Sequence, residues 1–84
     1  MIQRLGFVGI VIEDPARAAD INKILSRHSQ IIAGRMGLPR LSHNEAGIAV
    51  ITLIVQGSTD EIGALTGQLG TVSGVQVRSA LSSK

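Results

Sequence analysis

The fold class that this sequence predicts is α+β: a βαββαβ sandwich in which a four-stranded antiparallel sheet carries two helices on one face. Three observations lead to it. Six segments divided by turn residues read in the order strand, helix, strand, strand, helix, strand. The first and third strands are apolar on both of their alternating faces, as strands in the middle of a covered sheet are. The last strand alternates apolar with polar residues, as an edge strand does. This is the ferredoxin-like arrangement, and 84 residues suit one such domain spanning 1–84.

The first strand is read over residues 3–12, where Phe7 and Val11 oppose Val8, Ile10 and Ile12. Asp14 then stands at a helix N-cap, and Pro15 takes the first helical position, where it has no hydrogen bond to lose. Ala18, Ile21, Leu25 and His28 follow at helical spacing with Ile24 beside them, and form the predicted buried stripe. A second strand is read over about 30–36, ended by Gly37 and Pro39. Residues 38–46 read as an exposed hairpin loop holding Arg40, His43 and Glu45. The third strand covers 47–56, with Ile51, Leu53 and Val55 opposing Ile48, Val50 and Ile54.

The second helix opens on Ser58, Thr59, Asp60 and Glu61, a capping-box pattern in which the serine hydroxyl reaches forward and the glutamate reaches back. Ile62, Leu65 and Leu69 make its apolar stripe, and Gly70 fits a C-terminal cap. Gly63 and Gly67 each cost a helix roughly 1 kcal/mol relative to alanine. Close approach of another backbone, either the helix's own sheet or a partner, is the compensation expected. Gly74 makes the last turn, and the fourth strand runs over 75–81.

Two helices can cover only one face of such a sheet. The second apolar face of the central strands is therefore left to water unless another subunit covers it, which predicts a homo-oligomer, dimer or tetramer, assembled through the sheet. Apolar residues make up 44% of the chain and charged residues 17%, a globular composition. The absence of cysteine excludes disulfides and thiolate metal sites and fits a cytoplasmic protein. No basic and apolar N-terminal leader is seen, and the longest apolar stretch is far below the ~20 residues of a membrane span. Net charge is only +2, with Lys and Arg scattered among acidic residues and one aromatic, Phe7. Direct DNA or RNA binding by this chain alone is thus disfavoured.

Catalytic constellations are missing. There is no Gly-Lys-Ser or Gly-Lys-Thr phosphate loop, and Gly67, Gly70 and Gly74 lack dinucleotide-fingerprint spacing. Glu13 and Asp14 are adjacent carboxylates but read as a strand end and a cap rather than an acid/base pair. His28 reads as a helix C-terminal histidine. His43 and Glu45 are weak candidates for a divalent ion and otherwise a solvated loop pair; no cofactor is expected. The chain reads as a non-enzyme, because no nucleophile, base and orienting group can be assembled from these residue types.

Three stretches carry a family resemblance: Gly9-Ile10-Val11-Ile12-Glu13-Asp14, Ile32-Ala33-Gly34-Arg35-Met36-Gly37-Leu38-Pro39, and Ala64-Leu65-Thr66-Gly67-Gln68-Leu69-Gly70 with Gly74-Val75 after it. The second and third are the distinctive ones. The chain resembles ACT-like regulatory domains and, more narrowly, the small stand-alone iron-only hydrogenase system regulators, also described as transcriptional regulators. That resemblance implies a non-catalytic regulatory protein, oligomeric through its sheet, with a protein partner for any transcriptional role. Nickel-responsive repressors of similar fold add a ribbon-helix-helix domain and a His/Cys nickel cluster, and neither occurs here.

The alternative function is an ACT-type small-ligand or metal sensor. Amino-acid-binding ACT domains are similar around Glu13-Asp14-Pro15-Ala16 but have a glycine near the start of the helix, where this chain has Ala16. The resemblance places a ligand, if one binds, at Ile12, Glu13, Asp14 and Ala16. Gly34, Arg35, Met36 and Gly37 form the motif of the second strand, for which two readings stand. One is a strand end with a bulge or tight turn and a solvated Arg35. In the other, Arg35 binds an anionic ligand or a partner's carboxylate.

Overall fold

The computed structural model describes residues 3–38 and 47–82. Strand β1 (Arg4–Ile12) leads through a 3₁₀ turn, Pro15–Arg17, into helix α1 (Ala18–Arg27). A second 3₁₀ turn, Ser29–Ile31, enters β2 (Ile32–Leu38); β3 (Ala49–Gly57), α2 (Thr59–Gly70) and β4 (Val75–Leu81) complete the order. The sheet is antiparallel with order β2-β3-β1-β4, so the two strands that are apolar on both faces are the central ones. No helix among the described residues is long and apolar enough to cross a membrane.

Period-two alternation divides the central strands cleanly. Val8, Ile10 and Ile12 of β1 and Ile51, Leu53 and Val55 of β3 are buried, together with Ile21, Ile24 and Leu25 of α1 and Ile62, Leu65 and Leu69 of α2, in one cluster between sheet and helices. Burial of each such side chain contributes about 1.5–3 kcal/mol, which is what holds two short helices to the sheet. The other side of the sheet has no helix over it. There Phe7 faces Ile54, and both remain open to water, at 50% and 43% of full exposure.

Local capping follows the sequence at α2, whereas Asp14 caps the 3₁₀ turn and not α1, whose N-cap, Arg17, makes no side-chain cap hydrogen bond. Asp14 Oδ1 accepts the Ala16 amide at 3.0 Å, with Pro15 at the start of the 3₁₀ turn. At α2 the Ser58 hydroxyl accepts the Glu61 amide at 3.1 Å while Glu61 Oε1 accepts the Ser58 amide at 2.8 Å, a complete capping box.

Several details differ from the sequence expectations. Gly63 and Gly67 are exposed, and a Cβ on either would meet nothing within 4 Å, so the helix's own sheet does not explain them. Gly70 is the last residue of α2 rather than its cap; Thr71, in right-handed helical conformation, caps the helix. Ala18 is exposed rather than part of the buried stripe, because the 3₁₀ turn before it changes the winding at the start of α1. Strand β2 begins two residues later than predicted, since Ser29–Ile31 form a 3₁₀ turn. Most of the predicted 38–46 loop, with His43 and Glu45, lies outside the described residues.

Candidate functional site

The geometry of the β2 motif starts with a bulge. Ile32 pairs with Val55 and Gly34 with Ile54, so Ala33 is an extra residue against β3. Since side chains alternate with a period of two, one inserted residue reverses the facing of everything after it. Arg35 thereby comes opposite Leu53, on the helix side of the sheet, while Met36 comes opposite Thr52, on the open side, where it is 66% exposed.

On the helix side Arg35 reaches α1. Its Nη2 donates to Asn22 Oδ1 at 2.9 Å. This pair stands at one side of a groove of about 270 Å³ between the first turns of α1 and the β2-β3 half of the sheet. Ile12, Ala49 and Ile51 line its sheet side; Pro15 and Ala18 line it from the helix, and Gly37 and Leu38 from β2. Asn22 was not singled out by the sequence reading. Its signal was faint: Ala18 and Asn22, one helical turn apart, are a small and an uncharged residue beside the Ile21 and Leu25 stripe, away from Arg17, Asp20 and Lys23.

Charge around the groove is uneven. Arg17 sits between two carboxylates, its Nε 3.5 Å from Asp14 Oδ2 and its Nη1 3.3 Å from Asp20 Oδ2. The Nε distance makes an ion pair without a hydrogen bond. Arg35, by contrast, is held by a neutral amide, and no carboxylate pairs with it among the described residues.

The structure separates the other expected ligand residues. Ile12 lines the groove, and Pro15 beside Asp14 does too. Glu13 accepts a hydrogen bond from Gln76 Nε2 of β4 at 3.1 Å, Asp14 is occupied by its cap and by Arg17, and Ala16 is exposed outside the groove lining. The junction they form is pinned from β4, because the Gly74 carbonyl accepts both the Glu13 amide at 2.8 Å and the Asp14 amide at 3.4 Å. His28, at the C-terminus of α1, places Nε2 3.1 Å from Gln68 Oε1 and so ties the two helices together. Among the described residues, no three His, Cys, Asp or Glu side chains gather in a way that could hold a metal ion.

The comparisons agree with this architecture. A family profile, TM1266-like iron-only hydrogenase system regulator, matches residues 4–79. The chain belongs to this family. Its regulatory role is an assignment carried by the family name. Among solved structures, the uncharacterized protein TM1266 from Thermotoga maritima is 36% identical, with a TM-score of 0.84 over 95% of this chain and 98% of that one. The ACT domain from GTP pyrophosphokinase of Chlorobium tepidum is 23% identical, with a TM-score of 0.69 over 100% and 91% of the two chains. A nitrogen regulatory PII-like protein from Thiomonas intermedia, bound to ADP, AMP and bicarbonate, is 20% identical, with a TM-score of 0.52 over 98% and 99%. The last two show the shared ACT-like, ferredoxin-type fold and no more. No functionally curated protein matches the chain.

Proposed function

We propose that this family member is a non-catalytic regulatory protein of an iron-only hydrogenase system, working in the cytoplasm as a homo-oligomer and exerting any transcriptional effect through a protein partner. The observation that carries the assembly is the open sheet face. Leu5, Phe7, Met36, Leu38 and Ile54 are all exposed, and register places all five on the side of the sheet away from the helices. A contiguous apolar surface on so small a chain favours a second copy meeting it across a two-fold axis, each face covering the other. Support for the non-catalytic reading comes from the acidic side chains: Asp14, Asp20, Glu13 and Glu61 are engaged in caps, ion pairs or amide hydrogen bonds.

Light scattering at micromolar concentration tests the assembly. The expected mass is at least twice that of the 8.8 kDa chain. The double variant Phe7→Glu, Ile54→Asp should run as a monomer with unchanged circular dichroism, because both positions are solvent-facing within one chain. A monomeric wild-type protein would sink the reading. Capture of a partner from hydrogenase-expressing cells by the wild type and not by cells' unrelated bait tests the regulatory half.

A second reading, ACT-type sensing of a small ligand, is favoured by the groove beside Arg35. It is compatible with the first, since groove and open face lie on opposite sides of the sheet.

A further inference from the structure

We infer that the groove between α1 and β2 is a binding site for a small aliphatic monocarboxylate, held by the Arg35 guanidinium and the Asn22 side-chain amide over an apolar floor. The inference rests on the sensing reading and is independent of assembly through the open face. Its elements are all in the geometry of the bulged strand. The insertion of Ala33 turns Arg35 toward α1, where the Asn22 carbonyl oxygen accepts one of its N–H groups at 2.9 Å.

That hydrogen bond orients the cation without neutralising it. The Asn22 oxygen faces the guanidinium, so the Asn22 amide group retains its N–H donors for a second acceptor. An oriented guanidinium with donors to spare is the arrangement that accepts a carboxylate in a two-pronged hydrogen bond. Below it, Ile12, Ala49 and Ile51 offer methyl and methylene surface to a short hydrocarbon body. A volume of about 270 Å³ lies under the ~300–1,000 Å³ usual for drug-sized ligands, so the body must be small.

Charge distinguishes a simple acid from an α-amino acid. An ammonium group in the groove would need an anionic or carbonyl partner. Among the described residues, the carboxylates nearest along the chain are already engaged, Asp14 and Asp20 by Arg17, and Glu13 by Gln76 on the β4 side. An ammonium would therefore be desolvated without recompense, whereas a lone carboxylate meets only donors.

The test uses 4-methylpentanoate, its neutral amide 4-methylpentanamide, and leucine, which adds an α-ammonium to the same acid. Calorimetric titration and thermal melting of the full chain should show binding of 4-methylpentanoate, with leucine and the amide roughly tenfold weaker or worse. Arg35→Gln should weaken the acid's binding roughly ten- to hundredfold. Ala18→Leu, which leaves the charges intact and fills the groove from an exposed helical position, should abolish it. The Phe7→Glu, Ile54→Asp variant should bind the acid as the wild type does. Preference for the amide over the acid, or undiminished binding by Arg35→Gln, overturns the carboxylate site and leaves ligand sensing standing. No melting shift or heat with any of the three compounds up to roughly 10 mM, where millimolar sites fill, overturns both.

Discussion

Gly74 shows how much one residue can organise. Its φ of +75° lies in the left-handed region, and a Cβ there would come within 2.9 Å of Asp14 Cβ. Its carbonyl accepts two amides from the end of β1, which fixes where the chain leaves the sheet for Pro15 and α1. Gly74→Ala should cost about 1–3 kcal/mol, read as a lower urea midpoint at unchanged slope; an unchanged midpoint would mean the turn relaxes freely. Residues whose roles are local were legible in the sequence. Ser58 with Glu61 caps as predicted, and Asp14 caps the turn that leads into α1, because donor and acceptor lie within three residues. Arg35 was legible only as two alternatives, since its facing depends on a bulge measured against β3 and its partner Asn22 is 13 residues away.

At the scale of elements, the strands and helices follow from periodicity. The two central strands could be recognised because burial on both faces erases alternation. Strand β2 was the poorest reading, as its Gly-rich sequence carries too few side chains to reveal a phase. Helix α2 was read correctly for its buried stripe and incompletely for its glycines, because a helical pattern says which face is apolar but not what covers the other. With Gly63 and Gly67 exposed and nothing within 4 Å of an added Cβ, Gly63→Ala and Gly67→Ala should each stabilise the chain by about 1 kcal/mol. Chemical denaturation of the double variant checks this. A loss of assembly in the same variant would mark that helix face as an interface, the one arrangement in which small residues there matter.

For the whole molecule the governing fact is one-sided cover. A single layer of helices leaves Phe7 and Ile54 across from each other on a wet face, and folding is linked to assembly if a second copy dries them. The melting temperature should then rise with protein concentration, while that of the Phe7→Glu, Ile54→Asp variant should not; scanning calorimetry over a hundredfold range distinguishes the two. A wild-type melting temperature independent of concentration would separate folding from assembly.

The bulge at Ala33 bears on how such a protein can change. Substituting Ala33 alters a methyl group, but pairing β2 with β3 without the bulge would set Ala33 opposite Ile54 and slip every later residue by one. Strict alternation would then set Arg35 opposite Thr52, carrying a cation into the apolar face and leaving Asn22 without it. Groove and assembly surface, though on opposite sides of the sheet, are thus keyed to the same inserted residue. Their specificities are set together by how β2 pairs with β3 rather than by any one side chain on either face.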